Sequence, residues 1–380
     1  MSERFRKGTS MTATAGTKRQ GIDSYMDWVK AEGIPIHEDW GIDVFAVEKG
    51  DWPRYGVKGA ALHCKGRGDF NNMFAFELPP GKATIPQRHL FEMVVCVLDG
   101  RGSTQLEFAD GRKRSFEWGP RSLFAIPLNA KYRHFNASGT QRALLAATTN
   151  CPMIMNVFHN ERFVFDSDFE FDDRVGKEEY YAGEGDLQMV REGANTWETN
   201  FVPDLAVIPL TDLSSRGAGG SSIMFVLADG SMHAHISEMP AGTYKKAHRH
   251  QAGTHVMCVT GTGFSLLWYE GEKDFVRIDW KPGTAFPPAE RQFHQHFGTS
   301  AQPARYMACG IGSIRYPILT SQKLTLFGKG EGAIQHAHLS VKDGGDQIEY
   351  EDQDPRIHRM WLEEMRKNGV EPKMEKYIKG

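Results

Sequence analysis

Two stretches of this chain repeat each other, and that repeat limits what it can fold into more than any other feature. FELPPGKATIPQRHLFEMVVCVLDGRGSTQLEF, beginning at Phe76, aligns with SEMPAGTYKKAHRHQAGTHVMCVTGTGFSLLWY, beginning at Ser237. Gly81 precedes His89 by the interval that separates Gly242 from His250, and Gly100 follows Gly81 as Gly261 follows Gly242. Downstream, FEWGPRSLFAIPLNAKYRHFNASG answers IDWKPGTAFPPAERQFHQHFGTS, pairing Tyr132 with His294, His134 with His296 and Asn136 with Gly298. Register held across so many turns means two copies of one structural unit.

The unit reads as β. Runs such as MFAFELPPG, VVCVLDGRG and SLFAIPLNA are short, rich in apolar residues and separated by Gly, Pro, Asn and Asp, the pattern of a sandwich or barrel. Helical patterns fall at the ends. SYMDWVKAEG follows Asp23, and DPRIHRMWLEEMRKNG offers Asp354 as N-cap, Pro355 in the first turn and Gly369 beyond the last. The expected plan is an N-terminal tail (1–22), one β-unit (23–158), an irregular linker (159–215), a second β-unit (216–335) and a C-terminal segment with a helix (336–380).

Composition narrows the function. A net charge of -3 over 380 residues, with no long basic block, leaves little electrostatic basis for nucleic-acid binding. No apolar run reaches the roughly 18 residues that a membrane span needs. The polar, basic start MSERFRKGTSMTATAGTKRQ lacks the apolar core of a secretory signal. The 5 cysteines are odd in number, widely spaced and set among apolar residues, so they read as buried thiols in a reducing compartment. Together these features lead to the expectation of a cytoplasmic protein with a small-molecule partner.

Chemistry concentrates in the second copy. On a strand, residues two apart share a face, so His248 and His250 project together, as do His294 and His296. If both segments face one interior, three or four imidazoles converge, as a mononuclear metal site requires. The matching positions of the first copy are Gln87, His89, Met93 and Tyr132, a poor ligand set, so that copy is expected to be metal-free.

GTYKKAHRHQAGTHVMCVTG resembles the first cupin motif, and PPAERQFHQHFG is similar to the second. The chain thus resembles a bicupin over about residues 70–150 and 230–312, which implies an all-β fold of two jelly-roll (double-stranded β-helix) barrels with short terminal helices. The resemblance implies metal ligands at His248, His250 and His294. Thr254 stands where the family carries an acidic ligand, and Gly298 where it carries an Asn. His255, one place beyond Thr254, is a further candidate, either as a fourth ligand or as a catalytic group behind the ligands.

Among cupins, the three-His pattern without Glu resembles gentisate dioxygenases and related ring-cleaving enzymes. That likeness implies one divalent metal per chain, Fe(II) first, with Mn, Ni, Zn or Cu as alternatives, and O2 as co-substrate. The substrate would be a small hydroxylated aromatic acid or a similar chelator. His296 is placed for proton transfer, Arg305 for a substrate carboxylate and Trp268 for a stacking wall. The rival readings are a non-catalytic ligand-binding bicupin and an O2-independent metal-dependent lyase or isomerase. A homo-oligomer is expected in each case.

Overall fold

The computed structural model describes residues 21–191, 194–250, 253–318 and 339–378; most of the N-terminal tail of the sequence plan lies outside them, as do 319–335 of the second β-unit. The chain forms two β-barrels, each a large sheet closed by a smaller one. In the N-terminal barrel the large sheet runs Val57–Cys64, Asn72–Leu78, Ala143–Thr149, Met93–Asp99, Leu123–Ile126, and the small sheet Lys131–Asn136, Gly102–Glu107, Lys113–Trp118. In the C-terminal barrel the large sheet runs Ser221–Leu227, Met232–Met239, Ala304–Ile311, Thr254–Thr260, Thr284–Phe286, and the small sheet Val276–Trp280, Gly263–Trp268, Phe293–Gly298, Ala247–His248, Gln347–Ile348. The order is the same in both copies, so the sequence repeat is a repeat of topology.

Glycine shows how closely the copies agree. A Cβ on Gly102 would lie 2.0 Å from the Phe135 carbonyl oxygen and 2.4 Å from the Trp118 ring, and one on Gly263 would lie 2.0 Å from the Phe297 oxygen and 2.4 Å from Trp280. In both barrels a strand crosses so tightly beneath a tryptophan that only glycine fits.

Strand alternation then divides the side chains. In the C-terminal barrel Val256, Cys258, Leu267, Tyr306 and Ala308 fill the barrel, while Met257, Val259, Met307 and Cys309 face the other barrel. There they meet Leu62, Met73, Val94, Cys96 and Leu144, so the two large sheets pack face to face over one apolar layer. The barrels also exchange strands. Ile42–Asp43 pairs with Thr284–Phe286 of the C-terminal barrel, and Phe201–Val202 pairs with Leu123–Ile126 of the N-terminal one.

The terminal helices form where expected. Ser24–Ala31 is capped by the Asp23 carboxylate, which accepts from Met26 N at 3.0 Å, and Pro355–Lys367 by Asp354, which accepts from Arg356 N at 2.8 Å. Helices are not confined to the ends, however. Cys151–Phe158 carries Pro152 in its first turn, and Glu161–Asp166 is capped by Asn160, so the expected irregular linker begins with a helix. Further along, Ala194–Thr199 lies parallel to Ser221–Leu227 and extends the C-terminal sheet. All 5 cysteines are buried and free. Among the described residues no helix is long and apolar enough to cross a membrane.

Candidate metal centre

The small sheet of the C-terminal barrel brings two histidine pairs together. Ala247–His248 runs antiparallel to Phe293–Gly298 with His248 directly opposite His294. Both side chains point into the barrel. His250 follows on the same face, and its ring centroid lies 4.7 Å from that of His294 and 5.8 Å from that of His248. One donor nitrogen from each of these three residues falls within 4.8 Å of the others, and no carboxylate or thiol joins the cluster among the described residues.

The donor set suits a divalent metal in a further respect. His248 Nδ1 lies 3.4 Å from the Lys246 carbonyl and His294 Nδ1 3.2 Å from that of Gln292. A carbonyl only accepts, so each Nδ1 carries the proton and each Nε2 keeps its lone pair for a ligand bond. Burial, reinforced for His248 by Arg216 and for His294 by His250, holds both rings well below the usual histidine range, which keeps them neutral as metal binding requires.

Ion pairs fix the rim. Arg249, on the outer face, donates from Nε to Asp346 at 2.9 Å, and Arg291 donates to the same carboxylate at 2.8 Å. Arg291 N also donates to the His250 carbonyl at 2.9 Å. Gln347–Ile348 then pairs with Ala247–His248, so the C-terminal segment forms the sheet edge behind the histidine cluster.

His296 shares the inner face with His294, with ring centroids 5.4 Å apart. Its Nδ1 sits 2.8 Å from Ser265 Oγ, which accepts from Trp280 Nε1 at 3.0 Å. The arrangement that satisfies all three groups has Ser265 donating to Nδ1, leaving His296 with its proton on Nε2. Burial, with Lys245 next, lowers this ring to about 3, so it is a neutral donor.

Three other candidates lie elsewhere, and strand alternation is the reason in each case. His255 points away from Thr254, into the layer between the barrels; it is 1% exposed, and neither ring nitrogen has a hydrogen-bond partner. Arg305 faces the linker, where Nε donates to Glu238 at 2.7 Å and Nη1 to the carbonyls of Leu205 and Ile208, both at 3.0 Å. Trp268 packs on the outer side of the small sheet against Phe275 and Phe293. None of the three reaches the cluster.

Sequence reasoning also passed over two features of the interior. His233 and His235, in SMHAHISEM, enter the same barrel from Met232–Met239, with His233 Nε2 2.6 Å from His235 Nδ1. They follow the same one-residue spacing as His248/His250 and His294/His296, and that signal could have found them. Lys245 and Arg216 carry positive charge toward the histidines, and both oppose protonation of His235 and His296.

No family model matches the chain, and no curated protein matches it either. Among solved structures, it is similar to Lactobacillus farciminis oxalate decarboxylase in a formate complex, at 10% identity and a TM-score of 0.49 over 75% of this chain and 90% of that one. It is also similar to vicilin from Capsicum annuum, at 13% identity and a TM-score of 0.45 over 72% and 85% of the two chains. Likeness at this level adds no argument about substrate or reaction. The strand pairing itself defines two β-barrels of one topology, and the C-terminal barrel holds a three-histidine cluster fit for a divalent metal.

Proposed function

We propose that the C-terminal barrel is the centre of a mononuclear non-haem dioxygenase that uses Fe(II) and acts on a small hydroxylated aromatic acid or a similar chelating acid. The observation that carries this reading is the donor set itself, three imidazoles with Thr254 where an acidic ligand would stand. Such a set leaves a divalent ion its full charge and open positions for a substrate that binds through two oxygens. When bound, ferrous iron would supply the path for electrons from the chelated substrate to O2.

The protein's own groups would orient and protonate. His248, His250 and His294 would hold the ion, with the Lys246 and Gln292 carbonyls fixing two of the rings. His296, fixed by Ser265 and Trp280, would offer its Nε2 proton to a substrate oxygen. The apolar body of the barrel, with Val256, Leu267, Phe286 and Tyr306, would exclude bulk water.

The test is metal analysis of protein purified without oxygen, followed by O2 uptake with a panel of dihydroxybenzoates. Stoichiometric iron, lost in His294→Ala, with O2 consumed by the wild type alone, is the expected result. Zinc or manganese with no O2 uptake would replace this reading with a Lewis-acid lyase or isomerase. A folded protein with no metal would leave a ligand-binding bicupin.

A further inference from the structure

Lys245 is a buried amine without a bonded counter-group. The residue is 3% exposed, and its Nζ has no hydrogen-bond partner. Its backbone N donates to the His296 carbonyl at 3.0 Å, while Gly217 bridges it from the other side, so it stands on the wall of the histidine-lined interior. The side chain runs along Gly217 and Gly220, where a Cβ on Gly220 would come within 2.4 Å of Nζ. The two carboxylates that act on it electrostatically are already engaged, Glu238 by Arg305 and Asp212 by Ser214. Burial, with Arg216 next, pulls its amine down to about 7.

An ammonium taken out of water without a partner is costly, and an anion bound beside it would offset that cost. Arg216, whose carbonyl accepts from Lys246 N at 3.0 Å, also adds positive charge near His248 and His294. We propose that Lys245 is the residue that receives the carboxylate of the substrate in the C-terminal barrel, the role for which the sequence pointed to Arg305. The proposal rests on that barrel being the reacting site. A substrate held there would place its carboxylate toward Lys245 and its hydroxyl oxygens toward the three-histidine cluster. The specificity is therefore for a hydroxy acid over the corresponding neutral amide.

Calorimetric titration with salicylate and with salicylamide tests this, since the two probes differ only in the charged group. The wild type is expected to prefer salicylate by about tenfold to a hundredfold, the range for a hydrogen bond to a charged group. Lys245→Met should lose that preference, and Lys245→Arg should retain most of it. Equal binding of both probes by the wild type, or no binding of either, overturns the proposal without any variant. So does a Lys245→Met protein of unchanged circular dichroism that keeps the full preference.

Metal content measured on the same samples separates this inference from the dioxygenase reading. A metal-free wild type with a Lys245-dependent preference for salicylate would uphold the carboxylate site and remove the iron chemistry. Iron and O2 uptake with no dependence of probe preference on Lys245 would do the reverse.

Discussion

Where the C-terminal barrel sets His248 opposite His294, the N-terminal barrel sets Gln87 opposite Tyr132, by the same antiparallel bridge. The backbone is shared and the chemistry is not. In the N-terminal barrel His89 donates from Nδ1 to the Phe91 carbonyl at 2.7 Å and accepts at Nε2 from the Tyr132 hydroxyl at 2.9 Å, so both ring nitrogens are engaged by protein. Gln87 turns its amide to the Arg54 carbonyl at 2.7 Å. Glu92, the nearest acid in sequence, accepts from Arg174 at 2.8 Å and from Ser231 N of the other barrel at 2.9 Å.

One part is common to both. Trp118 donates to Thr104 Oγ1 at 3.0 Å, and Thr104 lies 2.8 Å from His134 Nδ1, as Trp280, Ser265 and His296 are arranged in the other copy. A network present with and without the ligand cluster belongs to the barrel's construction. What separates the copies is therefore the Gln87/His248 and Tyr132/His294 exchanges, and whatever His296 does for a substrate is added to a structural role.

The largest effect should come from breaking that difference. His294→Ala should abolish stoichiometric metal binding, whereas Tyr132→Phe should leave metal content unchanged, as read by plasma mass spectrometry of purified protein. The converse is to erase the difference. With Gln87→His and Tyr132→His together, His89 gains two partners at the spacing used in the other barrel, and metal content should rise from about one ion per chain to about two. A ratio that stays at the wild-type value would mean that more than ligand identity separates the barrels.

Acid should come next. Burial lowers His63 and His89 to about 4 and His134 and His255 to about 3. As pH falls below about 6.5, the unfolded chain takes up protons at these residues before the folded chain does, so stability is complete above that pH and is lost down toward the folded values. Each such ring contributes a slope of about 1.4 kcal/mol per pH unit. Denaturant midpoints measured from pH 7 to pH 4 should therefore fall steeply, and His134→Gln should flatten the slope by up to one such increment.

The smallest effects should separate structure from chemistry in the shared network. Thr104→Ala and Ser265→Ala each strand a buried indole N–H and should cost about 1–3 kcal/mol in denaturant titrations. Only Ser265→Ala should also slow O2 uptake, because only His296 faces the ligand cluster. Equal loss of turnover in both variants would place the effect in stability alone.

The sequence carried the three-histidine cluster because local rules suffice for it. An HxH on a strand fixes a common face, and the repeat fixes which strands meet. The terminal helices were legible from Asp23, Asp354 and Pro355 for the same reason. Arg305, His255 and Trp268 misled because each sits on a strand with two buried faces. Alternation tells which residues share a face, but which face looks into the barrel depends on the second barrel and on the C-terminal helix, whose Trp361 donates to the Gly298 carbonyl at 3.0 Å. Lys245 was invisible for a different reason. A lysine in a strand reads as exposed, and its burial follows from Gly217 and Gly220 lying against it.

The exchanged strands set an order for synthesis. Domains form as the chain emerges from the ribosome, N-terminal part first. Here the Leu123–Ile126 edge of the first barrel has no neighbour until Phe201–Val202 has been made, and the early arm at Ile42–Asp43 must stay available until Thr284–Phe286 follows. Each barrel thus holds an open edge that a strand from the far side of the chain closes, so the two halves mature together, and a gene cut between them would encode two fragments with sticky edges.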